Sequence, residues 1–329
     1  MSNIKLGLTL YSFTPEYARG ILSLEGVIRA AAQMGYTGYE IVATQMCPDY
    51  PFISDHFLGE LEAINRTYGM ELVSYAANMD RGMRADRNLT DDEMLARAIV
   101  DLRSAHKLGA HVMREQFLCG PEVLRRLAPY AEEYDVRVGI EIHNPEYPTS
   151  PYMQAFMDAI DESGSRYIGF IPDFGCFATK PNWPNWQSAL RNGAREEMLQ
   201  YAAKLRYGEV PLEEARQRMF DRGANGAEMG AFQGMYGFVT FYNQPDLEGL
   251  KKILPFCFEM HGKFHYIHED LHEHSIPYEK ILPILQESDF DGYIVSEYED
   301  HDPVTSNTFV QMKRHIDMER RILGIETIL

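Results

Sequence analysis

Four segments of this chain run apolar and then end on an ionisable side chain: VGIEIHNP, IGFIPDFG, KFHYIHED and YIVSEYED. The terminal groups are Glu141, Asp173, His268 and Glu297. Any one of them could be a helix cap, a surface charge or a structural histidine. Their common placement, where an apolar strand runs out, points elsewhere. Three carboxylates brought into one opening cost free energy unless a cation or protons neutralise them. A divalent ion with oxygen ligands from Glu141, Asp173 and Glu297 and a nitrogen from His268 satisfies that condition. A set this rich in carboxylate predicts Mn2+, with Mg2+, Co2+ and Zn2+ as alternatives, and not a structural zinc site built on cysteines.

A second group of residues is placed to act beside such an ion. His143 shares a strand face with Glu141 by the period-two rule, and an imidazole is the commonest general acid or base. The competing reading of His143 is a structural bond to the loop at 144–148. Glu299 is a second candidate base or hydroxyl contact. Tyr11, Asn78 and Glu115 stand at other predicted strand ends and are candidate substrate-binding residues, as is His265. Cys176 has no base beside it in sequence and reads as a packed thiol, not a nucleophile.

Positioning these groups requires a repeating architecture, and the hydrophobic pattern supplies one. Strand-length apolar runs are predicted at residues 4–13, 39–43, 71–77, 111–117, 137–143, 167–172, 263–270 and 292–297. Helical periods separate them at 24–34, 55–68, 121–134 and 151–162, with a last helix at 306–323. A further helix begins at the capping box Thr90–Glu93 and stops at Gly109. Alternation of strand and helix implies parallel strands joined by crossover helices, and eight repeats imply closure into a (β/α)8 TIM barrel. In that fold the strand C-termini converge, so residues remote in sequence meet at one mouth. No glycine-rich phosphate loop follows the first strand, against a dinucleotide fold.

The whole chain, 1–329, reads as one barrel domain with one long interruption of rhythm at 176–244, between strands six and seven. Both tryptophans, Trp183 and Trp186, lie there with the stretch GANGAEMGAFQGMYGFVTFY. An excursion after a strand C-terminus sits on the catalytic face, so the expected role is a lid or a partner-docking segment.

Composition sets further bounds. Acidic residues outnumber basic ones 49 to 31, a formal net charge of −18 that argues against nucleic acid. Four scattered cysteines without a CxxC pair predict reduced thiols. The start, MSNIKLGLTLYSF, reads as a strand and not a signal peptide. No apolar run approaches the roughly 20 residues that cross a bilayer. The expectation is a cytoplasmic protein without a membrane segment.

The order Glu, Asp, His, Glu on strands five to eight resembles the xylose isomerase-like barrels, which include sugar phosphate isomerases and epimerases, inosose dehydratase, hydroxypyruvate isomerase and endonuclease IV. The opening LGLTLYSF and the turn Gly35-Tyr36-Thr37-Gly38-Tyr39-Glu40 carry the same resemblance. Strand seven departs from it. Relatives read His-Val-His-Leu-Lys-Asp where this chain has Phe264-His265-Tyr266-Ile267-His268-Glu269-Asp270. Alignment after Lys263 puts the ligand on His268; alignment on Asp270 brings in His265. A metal facing two adjacent sugar oxygens polarises a carbonyl and stabilises the enediolate formed on loss of a neighbouring proton.

The length and the long excursion look similar to the larger subunit of bacterial C-glycoside deglycosidases. That resemblance implies a lyase: a 3-oxo-C-glycoside loses its C2 proton and the bond to the aglycone breaks by elimination. It also implies a hetero-oligomer with a small β-rich second subunit. Two further readings stay open: a sugar or sugar-acid isomerase, epimerase or inosose-type dehydratase, and a non-catalytic metal-binding subunit. Endonuclease-like DNA repair would need more histidines and a basic groove.

Overall fold

The computed structural model describes residues 3–300, 304 and 307–325. Eight strands alternate with helices: β1 Lys5–Thr9, β2 Gly38–Val42, β3 Glu71–Ala76, β4 Val112–Gln116, β5 Arg137–Ile142, β6 Ile168–Pro172, β7 Met260–Phe264 and β8 Tyr293–Tyr298. Neighbours pair in parallel in the order β6-β5-β4-β3-β2-β1-β8-β7. Isolated bridges Phe170↔Cys257 and Asp173↔His261 join β6 to β7 and complete the ring. The predicted (β/α)8 barrel is what forms.

The helices start and stop for local reasons. Thr90 caps the helix Asp91–Leu108, and its reciprocal bond with Glu93 is the predicted capping box. Gly35 and Gly109 close their helices at φ 95° and 80°, a left-handed conformation that only glycine adopts without strain. Apolar faces then pack on the ring, with Leu124, Leu127 and Ala131 from the helix Pro121–Tyr134 among the buried core.

Three boundaries differ from the pattern reading. β1 ends at Thr9, and residues 10–13 turn into a short 3-10 helix that presents Tyr11 to the mouth. β7 is Met260–Phe264, so strand seven begins three residues earlier than 263 and ends well before 270. The last helix is Thr308–Leu323, and its predicted start at Ser306 lies outside the described residues. Between β6 and β7 the chain passes through helices Trp183–Arg191, Glu196–Tyr207, Leu212–Asp221, Gly226–Met235 and Leu247–Ile253. No helix among the described residues is long and apolar enough to cross a membrane, and the four cysteines are free thiols.

Candidate metal centre and active site

The barrel axis is lined with charge. Residues of even number on β2 and β4 and of odd number on β5, β7 and β8 face inward, which brings Glu40, Arg114, Glu141, Glu259, His261, Lys263 and Glu297 together. Asp173 joins them from just past β6, where its Oδ1 accepts from the Gly175 backbone at 2.6 Å. Deepest lies Glu259, whose Oε1 accepts from Ser74 Oγ at 3.0 Å.

His261 occupies the centre and is fully buried. Its Nδ1 lies 3.0 Å from Glu141 Oε1 and 3.3 Å from Glu297 Oε2. Its Nε2 lies 3.2 Å from Glu40 Oε2 and 3.5 Å from Glu259 Oε1. Burial would lower its pKa, but the Glu40, Glu141, Glu259 and Glu297 carboxylates push it well above the ordinary value. Burial likewise opposes ionisation of Glu141, yet the Arg114 guanidinium, 3.6 Å away, and His261 hold its pKa well below the usual range. At Glu297 the penalty of burial is outweighed by Lys263 and then His261, giving a pKa of about 2. At Asp173 burial wins over Lys263, and the pKa rises to about 6.

An outer layer sits above. Lys263 Nζ is 2.7 Å from Asp173 Oδ2, 2.7 Å from His143 Nε2 and 3.3 Å from Glu299 Oε2. His143 Nδ1 donates to Asn144 O at 2.8 Å, and Tyr11 OH donates to Glu299 Oε1 at 3.5 Å. His265 follows β7 directly; burial and then Lys263 lower its pKa to about 3, so its ring is neutral. Phe238, from the excursion between β6 and β7, meets the His143 ring edge-on at 5.8 Å.

Of the predicted residues, the structure brings together Glu141, Asp173, Glu297, His143, Glu299, Tyr11 and His265. Asn78 is joined to them through Arg114, whose Nη1 donates to its Oδ1 at 3.2 Å. Two placements are corrected. His268 lies beyond β7, its Nε2 3.2 Å from His274 Nδ1 and its ring 5.9 Å from Trp183, away from the carboxylates. Glu115 faces the helices and not the mouth. Its register neighbours Arg114 and Gln116 pair with Gly139 and Glu141 and point inward, which turns Glu115 outward. It is buried there beside Asp101, and burial raises its pKa. Pattern reading missed His261, Lys263, Arg114, Glu40 and Glu259. The signal for His261 and Lys263 is their spacing of two within EMHGKF, which puts both on one face.

The arrangement suits a divalent ion. One ligand atom each from Glu141, His261 and Glu297 lies within 4.8 Å of the others. Asp173 Oδ2 and Glu297 Oε2 are buried and face the cationic groups of Lys263 and His261. Five buried carboxylates around Arg114 and Lys263 leave an excess of negative charge that a dication reduces. With Nδ1 toward the ion, His261 turns Nε2–H to Glu40 and Glu259, the carboxylate backing that orients metal-bound imidazoles.

The sequence profile of the xylose isomerase-like TIM barrel matches residues 28–318. The chain belongs to that family. Within it, the chain is 31% identical to the 3'-dehydrocarminate deglycosidase alpha subunit of a Microbacterium species, over 97% of this chain and 95% of that protein. It is 33% identical to a C-glycoside deglycosidase alpha subunit of Arthrobacter globiformis, over 91% and 86% of the two chains. Among solved structures of the xylose isomerase-like fold, a sugar phosphate isomerase/epimerase from Parabacteroides distasonis superposes with a TM-score of 0.59 at 14% identity, covering 99% of this chain and 96% of that one. The IolI protein, solved with a zinc atom, gives 0.58 at 13% identity over 99% and 100%. These relatives support an enzyme.

Proposed function

We propose that this protein is the metal-binding, catalytic subunit of a carbon–carbon lyase that cleaves 3-oxo-C-glycosides. Glu141, Asp173, His261 and Glu297 would hold the ion, with Mn2+ the favoured choice and Mg2+, Co2+ or Zn2+ as alternatives. His261 takes the place expected of His268, because it is the histidine whose ring reaches Glu141 and Glu297. The ion, when bound, supplies Lewis-acid stabilisation of negative charge on the sugar carbonyl oxygen. His143 acts as base. Its Nδ1 is occupied as a donor to Asn144 O, which leaves the lone pair on Nε2, 2.7 Å from Lys263 Nζ.

His143 Nε2 takes the C2 proton; the C–H pair forms C2=C3 and the carbonyl pair moves to O3. Return of that pair re-forms C3=O and makes C1=C2 as the C1–aglycone bond breaks. The departing carbon takes its proton from the His143 imidazolium. Glu299, with Tyr11 bonded to it, and Asn78 and His265 are placed to hold sugar hydroxyls. The excursion at 176–244 would serve as a lid or a partner-docking segment, a role supported by Phe238, which meets the His143 ring edge-on. The relatives' designation as alpha subunits supports a hetero-oligomer with a small second subunit.

The observation that carries the reading is His143, held through Nδ1 to Asn144 O beside the carboxylate–histidine cluster, in a chain similar along nearly its whole length to deglycosidase alpha subunits. Incubation with Mn2+ and a 3-oxo-C-glycoside, with and without the second subunit, tests it by release of free aglycone. A second reading, a sugar isomerase or epimerase, draws on fold neighbours so named and on the shared proton abstraction. Deuterium incorporation at C2 or C3 without aglycone release would select it.

A further inference from the structure

Lys263 is 3% exposed, and its ammonium is held at a point that a simple counter-ion for Asp173 would not require. The space is built for it. A Cβ at Gly175 would lie 3.0 Å from Lys263 Cδ and 2.9 Å from Asp173 Oδ1, so glycine there admits the lysine stem. Tyr278 OH pins the Lys263 carbonyl at 2.8 Å, fixing the backbone from which the stem projects. The ammonium then reaches two groups at once, at 2.7 Å each: Asp173 Oδ2 and the Nε2 of His143.

An ammonium only donates, so His143 Nε2 must accept, while Nδ1 donates to Asn144 O. The lysine therefore selects one imidazole tautomer. Its Nζ also lies 3.3 Å from Glu299 Oε2, beside the residue proposed to hold a sugar hydroxyl. We propose that Lys263 is a further catalytic residue, whose ammonium presents His143 as a proton acceptor in the free protein and passes to the sugar oxygen that gains charge during proton abstraction. On binding, the Nζ–Nε2 hydrogen bond is exchanged for an Nζ–O3 one, and Nε2 is freed for the C2 proton. No proton leaves Lys263. The inference rests on the lyase or epimerase reading for its second half, and on the hydrogen-bond geometry alone for its first.

The test has two arms. In metal-free protein with 15N-labelled histidine, long-range 1H–15N correlation reads the His143 ring: Nδ1 protonated and Nε2 unprotonated in the wild type. Lys263→Met is expected to release that preference, whereas Lys263→Gln, which still donates, keeps it. Unchanged ring shifts in Lys263→Met overturn the proposal, and this holds even if no glycoside proves to be a substrate. In the loaded protein with a 3-oxo-glycoside, both variants are expected to retain full metal content and to lose roughly 100-fold or more in kcat for C2 proton exchange, with KM changed only a few-fold. A pure counter-ion would give tighter metal binding and a wild-type exchange rate, which also overturns it. Absence of exchange in the wild type would count against the lyase and epimerase reading and leave the ring spectra to decide the lysine.

Discussion

Replacing His261 by leucine removes one imidazole from between four carboxylates. In the wild type each ring nitrogen faces two of them at 3.0–3.5 Å, with the ring wholly out of solvent. Leucine fills comparable volume but leaves Glu40 and Glu259 with Ser74 and the more distant Arg114, 3.9 Å from Glu40 Oε2. Breaking a buried ionic arrangement by removing one partner costs about 3–5 kcal/mol. In metal-free protein the urea midpoint should fall accordingly. Loss of a supporting partner behind a ligand costs roughly 10–100-fold in metal affinity, so loss of the ligand itself should exceed about 100-fold. Calorimetric titration with Mn2+ and metal analysis after dialysis read that number. His268→Leu is the control: it touches His274 and Trp183 and should bind metal as the wild type does. Retention of wild-type affinity in His261→Leu, with loss in His265→Leu, would refute the assignment and move the nitrogen ligand to the rim.

Three further outcomes are expected. Burial raises the Asp101 pKa to about 6 from 3.8, against the hydroxyls of Tyr75 and Tyr50. The folded state then keeps this proton while the unfolded chain loses it, so stability falls as pH rises from about 4 to 6, by about 3 kcal/mol in all. Urea midpoints across that window should show a shallower slope in Asp101→Asn, and an unchanged slope would contradict the assignment. Phe238 is 73% exposed, so Phe238→Ala should leave the melting temperature within experimental scatter. It should raise KM for aromatic C-glycosides by the worth of one ring contact, about 0.5–1.5 kcal/mol or roughly 2- to 10-fold, in steady-state assays. Gly169→Ala would place a Cβ 2.1 Å from the Phe256 carbonyl, where β6 and β7 close the ring. Overpacking against backbone costs about 1–3 kcal/mol, visible as a lower melting temperature by calorimetry.

The local signals were legible because each is short-ranged. Thr90 with Glu93, and Gly35 and Gly109, mark helix ends through bonds made within a few residues. Glu141 stands out because apolar residues precede it on a strand buried from Val138 onward. β7 hid for the opposite reason. Met-His-Gly-Lys-Phe is wholly buried, yet two of its five residues carry charge-bearing side chains, so it lacks the apolar run that announces a strand. The more apolar stretch after it drew the expected strand late and the ligand to His268.

By itself, then, the sequence determined the alternation of strand and helix, the closure into a barrel, and the three carboxylates at the mouth. These follow from side-chain periodicity and from caps whose partners are near neighbours in the chain. Only the tertiary structure decided which histidine meets those carboxylates, that Glu115 turns away, and that Lys263 lies between Asp173 and His143. Those outcomes depend on inward or outward register and on compensation of buried charge by β2, β4, β5 and β8, with Glu141 120 residues and Glu40 221 residues from His261 along the chain. No local pattern encodes an interaction whose other half arrives from across a closed ring.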